Sequence, residues 1–155
     1  MEFNEEDIHA ITESVWSAIL GLAVQPCPPP TESTADSLIG SVDVVGAWHG
    51  TMVVRCPTAL ARHVGAIMFG LEPGTATLEH AQDAMSEITN MIGGNLKALL
   101  PEPCQLLFPQ ITRGTDATTA PAGQLIARAA FECESDVFLV AVREDEPPLL
   151  AASPQ

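Results

Sequence analysis

The sequence predicts an α+β fold of two layers, in which helices pack on one face of a mainly antiparallel sheet. Segments whose apolar residues recur at helical spacing alternate with short runs rich in β-branched residues. Several of these runs are neighbours in the chain and are joined by short turns, as in β-hairpins. Hairpins build antiparallel sheets, and such a sheet can bury one face against helices. The 155 residues are enough for one domain with its own core.

The first third of the chain predicts a helix followed by a hairpin. Apolar residues between Ile8 and Leu22 recur at helical spacing, and the prolines that begin at Pro26 end that helix. A polar loop leads to Asp36, and two valine-rich runs follow with glycines between them that favour a turn. The predicted elements are a helix from Asp7 to about Gln25 and two strands, Leu38–Gly46 and Ala47–Cys56.

The middle of the chain predicts two more helices. Pro57 suits the first position of a helix, where no amide donor is needed, and Gly70 ends that helix after Met68. Thr77 is placed to cap the next helix, which ends by Leu100, ahead of two prolines. His80 stands where a capping box has Glu or Gln, so we expect that box to be incomplete.

The last third predicts three strands and a tail. A strand over Cys104–Ile111 contains Pro109, which belongs at a sheet edge or a strand end. Two closing strands, Gln124–Glu132 and Asp136–Arg143, flank a turn. Residues 1–143 are therefore expected to form one domain. Residues 144–155 are acidic and rich in proline, which predicts a disordered tail.

Charge and composition exclude several classes of function. The net charge of −14 argues against nucleic acid or an anionic membrane as partner, because both are polyanions. No apolar run reaches the roughly 18 residues of a membrane span, and the acidic start is unlike a signal peptide, so we expect a cytoplasmic protein. The cysteines and histidines lack C-x-x-C and metal-ligand spacing, which predicts free thiols and no metal site: Cys27, Cys56, Cys104, Cys133, His9, His49, His63 and His80.

One stripe of the third helix carries the candidate site. With Glu87 at zero and about 100° per residue, Asp83 falls near 320°, Asn90 near 300° and Gly94 near 340°. The apolar residues of this segment lie on another face, so the stripe should face solvent. Glu87 can pair with a cation, and the amide of Asn90 can hold a water because it donates and accepts hydrogen bonds. On the residues alone, an ordinary solvated helix face is the competing interpretation.

Several segments in a fixed order resemble a known family. They are Asp83-x-x-x-Glu87-x-x-Asn90, its continuation Met91-Ile92-Gly93-Gly94-Asn95-Leu96-Lys97, the later Phe108-Pro109-Gln110-Ile111-Thr112-Arg113-Gly114, and the upstream Gly50-Thr51-Met52-Val53-Val54. Together they resemble the CheX branch of the CheC/CheX/FliY family of chemotaxis phosphatases. The resemblance implies a CheC/CheX-like fold. It also implies an enzyme that removes the phosphoryl group from the aspartate of a CheY-like response regulator, in chemotaxis or another two-component pathway.

The resemblance also assigns roles to the residues of the stripe. By it, Glu87 would pair with a lysine of the regulator and Asn90 would position the attacking water, with Asp83 and Gly94 supporting the site. It implies that Mg²⁺ is supplied by the partner regulator and that the protein forms a homodimer. CheC-type members carry a second such motif, but here Glu13 is followed by Trp16 where the amide would stand. A single site is therefore expected.

Two alternatives belong to other functional classes. The first is a non-catalytic module that binds a response regulator or a flagellar-switch component, since an intact motif does not ensure turnover. The second is a small-molecule-binding domain, which a large apolar pocket away from Glu87 would favour.

Overall fold

The computed structural model describes residues 4–30, 36–114 and 123–145. In these residues three helices and a seven-stranded antiparallel sheet form an α+β fold, which confirms the predicted fold class. The elements are α1 (Glu5–Leu20), β1 (Gln25–Cys27), β2 (Ser37–Gly46), β3 (Gly50–Pro57), α2 (Thr58–Met68), α3 (Leu78–Lys97), β4 (Cys104–Leu106), β5 (Gln110–Gly114), β6 (Gln124–Cys133) and β7 (Asp136–Glu144).

The sheet has the strand order β1-β6-β7-β3-β2, and both β4 and β5 pair with the outer edge of β2. The segment predicted as one strand, Cys104–Ile111, is therefore two strands that share one neighbour. The break falls at Leu107–Pro109, because proline has no N–H to donate to the ladder. The prediction of an edge position for Pro109 is confirmed.

The first helix is shorter than predicted. It ends at Leu20, where Gly21 takes the left-handed conformation of a helix cap, with φ of 67°. The extension to about Gln25 was wrong, because Gln25–Cys27 forms the edge strand β1 against β6. An edge strand tolerates Pro26, whose ring would not fit in the continuing helix.

The structure also moves other boundaries. α2 begins at Thr58, because Pro57 is the last residue of β3 and caps the helix instead of being its first residue. β3 begins at Gly50 rather than at Ala47, so the residues between the glycines form the hairpin turn. α3 ends at Lys97. β7 includes Glu144, and the Asp145 amide donates a hydrogen bond to the His49 carbonyl. The remainder of the predicted tail, residues 146–155, lies outside the described residues.

The capping box at the start of α3 is complete, contrary to the prediction. The Thr77 hydroxyl accepts a hydrogen bond from the His80 amide at 3.2 Å, and His80 Nδ1 accepts one from the Thr77 amide at 3.0 Å. An imidazole nitrogen thus does here what a Glu or Gln oxygen does in the usual box. The helix that carries the candidate site has a well-fixed start.

The core lies between the helices and one face of the sheet. Along the central strands β2, β3 and β7, alternate residues point toward the helices and are buried. The large ones are Leu38, Val42, Val44, Met52, Val54, Cys56, Phe138, Val140 and Val142. Trp16 of α1 is fully buried, stacks on Phe138 and donates its indole N–H to Cys133 Sγ at 3.4 Å.

None of the helices in the described ranges is long and apolar enough to cross a membrane.

Two glycines determine how closely α3 approaches the sheet. A Cβ at Gly40 of β2 would collide with the Thr89 hydroxyl of α3. A Cβ at Gly93 of α3 would lie 2.8 Å from Val42 Cγ1 and 3.3 Å from Leu106 Cδ1. The helix therefore rests directly on β2 and reaches over to the edge strand β4.

Candidate functional site

The four residues of the predicted stripe lie on one exposed face of α3. Asp83, Glu87, Asn90 and Gly94 are all exposed. The opposite face is buried against the core, through Ala81, Ala84, Met85, Ile88, Thr89, Ile92 and Leu96. A capped and packed helix thus presents a carboxylate and an amide one turn apart, with little freedom in their relative position.

The polar side chains of this stripe have no partner among the residues that the structure describes. Among the described residues, none forms a hydrogen bond or ion pair with the side chains of Asp83, Glu87 or Asn90. By contrast, Asn95 on the same helix is engaged locally, since its amide donates to the Met91 carbonyl at 2.8 Å. Asn95 therefore has a local structural role, whereas the polar groups of the stripe are left open to solvent.

The surface next to the stripe is open. A Cβ at Gly94 would meet no atom within 4 Å, so a partner can approach the helix backbone there. A pocket of about 320 Å³ continues from this glycine toward the end of α3, and it is lined by Gly94, Lys97, Ala98, Pro101, Glu102, Pro103 and Cys104. Lys97 makes no ion pair with any described residue, so its ammonium group is available at the edge of the site.

The sequence reasoning missed one conspicuous surface residue on the edge of the sheet beside α3. Phe108, between β4 and β5, is 92% exposed, far more than any other large hydrophobic side chain described. The available signal was an aromatic residue directly before a proline in an edge strand, where the ladder is interrupted. In the sequence, Phe108 stands out only as part of the family-like segment that begins with it.

The other candidate groups are not assembled into a site. All four cysteines are free thiols, and burial raises the pKa of the Cys56 thiol far above its ordinary value. No three His, Cys, Asp or Glu side chains in the described ranges are placed to hold a metal ion. At the position of a second motif, Glu13 is exposed but Trp16 belongs to the core, so α1 presents no amide to solvent there.

Solved structures of similar fold cover nearly the whole chain. Chemotaxis protein CheX from Vibrio vulnificus matches with a TM-score of 0.74 and 23% identity, covering 90% of this chain and 95% of that chain. CheX in the CheX–CheY–BeF3–Mg²⁺ complex from Borrelia burgdorferi matches with a TM-score of 0.69 and 17% identity, covering 91% and 97%. FliY from Thermotoga maritima is more distant, with a TM-score of 0.57 and 16% identity, covering 92% of each chain. At these identities the likeness establishes the fold.

Family membership rests on the sequence itself. No curated protein matches the chain significantly. The family model for chemotaxis phosphatase CheX matches residues 38–131, more than half of the chain. The matched region contains the whole of α3 with its exposed stripe, and the edge strands that pack beside it. The chain therefore belongs to the chemotaxis phosphatase CheX family.

Proposed function

We propose that the protein hydrolyses the phosphoaspartate of a CheY-like response regulator, with Glu87 and Asn90 as the residues that enter the regulator's site. One observation carries this proposal. In a chain of the CheX phosphatase family, an exposed carboxylate and an exposed amide stand one turn apart on α3, and neither has a partner among the described residues. Such groups are pre-positioned to act on a second protein rather than within their own.

The chemistry suits this small set of groups. An aspartyl phosphate is an activated acyl phosphate, so the reaction needs a water held in line with the phosphorus more than it needs a strong base. The water attacks phosphorus, the bond from phosphorus to the carboxylate oxygen breaks, and inorganic phosphate and free aspartate result. The Asn90 amide can accept a hydrogen bond from that water, and its NH₂ group can donate one to a phosphoryl oxygen.

Glu87 has a different task from Asn90. Three residues of helix separate the two by about 4.5 Å along the axis, so both can reach the same small region of a partner. A carboxylate there can pair with a cationic side chain of the regulator, such as a lysine. The pair orients the regulator over Asn90 and becomes shielded from water as the two proteins close.

The partner completes the active site. The Borrelia burgdorferi complex contains CheX together with CheY, BeF3 and Mg²⁺. For this chain we propose that Mg²⁺ is held by the regulator, because the described residues contain no group of three metal-ligating side chains. Asp83, one turn before Glu87, would add negative charge that supports the approach of a cationic group. A cytoplasmic location, the homodimer and the domain limits at residues 1–143 remain predictions.

The test is the decay of a purified phosphorylated regulator with and without the protein. We expect Asn90→Asp to lower kcat by at least ~100-fold, since it keeps the shape but sets a negative charge against the phosphoryl group. Glu87→Gln should raise KM more than it lowers kcat, because it removes the charge that pairs with the regulator. Glu13→Gln, an exposed acid on α1, is the matched control and should behave like the wild type.

Two results would contradict the proposal. The first is equal decay with and without wild-type protein across the CheY-like regulators of its own organism. The second is wild-type activity in both Glu87→Gln and Asn90→Asp. Tight binding to the phosphorylated regulator without faster decay would instead favour the non-catalytic binding module.

A further inference from the structure

Phe108 is a phenyl ring held in water on the segment between β4 and β5. It is 92% exposed, and Leu107 before it is 39% exposed. Leaving such a ring in solvent forgoes the free energy that its burial would provide. Isolated exposed apolar residues are common on protein surfaces. Phe108 differs from such isolated residues in two respects. A bulge in the sheet edge holds it outward, and that bulge lies next to α3.

A bulge in the sheet edge holds Phe108 outward. The strands β4 and β5 both pair with β2, with Leu106 opposite Val44 and Gln110 opposite Ser41. Between these pairs, three residues (107–109) stand opposite only two residues of β2 (42–43). The Leu107 amide still donates to the Asp43 carbonyl at 2.9 Å. The extra residue is therefore excluded from the ladder while its flanks stay anchored, which is the geometry of a β-bulge.

The bulge lies next to the flank of α3 that leads to Asn90. On one side of the bulge, Leu106 lies against Gly93 of α3. On the other side, the side chain of Ile111 lies close to Gly40, the same glycine that Thr89 of α3 contacts. Phe108 is therefore placed at the level of the helix turn that contains Thr89 and Gly93. On the helix, Asn90 lies only about 60° beyond Gly93, toward solvent. A partner that covers Asn90 from the side of the sheet edge therefore lies over the bulge that carries Phe108.

We propose that Phe108 is the apolar anchor of the surface that receives the phosphorylated regulator; this inference rests on the proposed function. A regulator that brings its phosphoaspartate to Asn90 has to lie against the neighbouring edge of this domain. Aromatic side chains at the centre of an interface contribute a large part of the binding free energy, because they lose their contact with water on docking. The polar stripe would orient the regulator, and Phe108 would hold it.

The same features argue against a second copy of this chain as the occupant. Edge-to-edge pairing of two sheets needs a regular row of free N–H and C=O groups. Here the outer edge is two short strands separated by a bulge, and Pro109 lacks an N–H. The closeness of the bulge to the α3 turn of Thr89 and Gly93 therefore favours the regulator.

The test compares Phe108→Ala with Leu125→Ala, another exposed large hydrophobic residue, which lies on β6 across the sheet. We expect Phe108→Ala to raise both the KM for the phosphorylated regulator and the Kd for its beryllofluoride form by about tenfold. Its kcat at saturation should stay within about twofold of the wild type, because Asn90 is unchanged. Leu125→Ala should leave all three quantities unchanged, and thermal unfolding should confirm that both variants fold.

The possible failures can be told apart. If the wild type accelerates decay but Phe108→Ala has wild-type KM and Kd, the anchor is refuted while the proposed function stands. If the wild type and Asn90→Asp are equally inactive, the proposed function fails and the anchor with it. If Phe108→Ala converts a dimer into monomers while regulator binding per protomer is unchanged, Phe108 serves self-association, which also overturns the proposal.

Discussion

Gly40 of β2 and Thr89 of α3 are in such close contact that a side chain at residue 40 would overlap the Thr89 hydroxyl. Thr89 is fully buried and directly precedes Asn90 in the helix. The absence of a Cβ at one residue of the sheet therefore determines how far the candidate catalytic amide stands above that sheet. The stability of the fold and the geometry of the site are coupled at this contact.

Gly40→Ala should lower the free energy of unfolding by about 1–3 kcal/mol, because the added methyl group forces α3 away from β2. Urea unfolding measures the change. Gly114→Ala is the matched control in the same sheet, since its Cβ would only touch Ile39 at 3.7 Å, an ordinary contact. Equal urea midpoints for both variants would show that the contact at Gly40 is not restrictive.

The adjacent glycines of α3 should respond in opposite ways to alanine. Gly93→Ala places a methyl group 2.8 Å from Val42 Cγ1, whereas the same change at Gly94 meets nothing. Alanine favours a helix over glycine by about 1 kcal/mol, so Gly94→Ala should raise stability, while overpacking offsets that gain at Gly93. We expect Gly94→Ala to be more stable than Gly93→Ala by at least ~1 kcal/mol in urea unfolding. The reverse order would contradict the packing of α3 on β2.

The capping box of α3 can be tested at both of its residues. Thr77→Ala should cost about 1 kcal/mol of stability, because it leaves the His80 amide without its acceptor. His80→Gln should be nearly neutral, since a glutamine oxygen at this position can also accept from the Thr77 amide. Thermal unfolding of the two variants measures the difference. A loss at His80→Gln as large as at Thr77→Ala would mean that the ring has a further role.

The ion pair between Asp36 and Arg113 should be visible in an acid titration. Two guanidinium nitrogens of Arg113 donate to the Asp36 carboxylate, with Nε at 3.0 Å from both oxygens, and this holds the pKa of Asp36 below its ordinary value. A depressed pKa in the folded state contributes stability that is present above the unfolded value, near 3.9, and is lost as pH falls through the folded value.

An NMR titration of the Asp36 carboxyl carbon measures that pKa directly. In Arg113→Gln the pKa should rise toward the value of an exposed aspartate, because the charged donor has gone. An unchanged pKa in Arg113→Gln would show that the pair does not persist in solution.

The four thiols should differ in their reaction with an alkylating reagent. Cys56 and Cys133 are buried, and burial raises the pKa of both, so little reactive thiolate forms. Burial also raises the pKa of the Cys27 thiol, but Cys27 and Cys104 are partly exposed, so the reagent can reach them and they should be modified first in the folded protein. Mass spectrometry after a short exposure to iodoacetamide, with a urea-unfolded sample as control, assigns the sites. Early modification of Cys56 would contradict the packing of β3 in the core.

Local patterns predicted most of the elements correctly. The helical spacing in α2 and α3 and the valine-rich runs of β2, β3 and β7 lie within short stretches of sequence, so they report directly on which face is buried. Pairing between distant residues was harder to foresee. Gln25–Cys27 became a strand only because β6, about 100 residues later, provides its partner, and Cys104–Ile111 was divided by its register against β2.

The sequence by itself determined the stripe of Asp83, Glu87, Asn90 and Gly94, because the helical repeat alone places these residues on one face. Only the tertiary structure decided what surrounds the stripe. Gly40 and Gly93 bring α3 down onto β2. At the sheet edge, three residues stand opposite two, and this mismatch leaves Phe108 exposed. The physical reason is that a helix face depends on local geometry, whereas a bulge and a close packing contact depend on residues that are far apart in the chain.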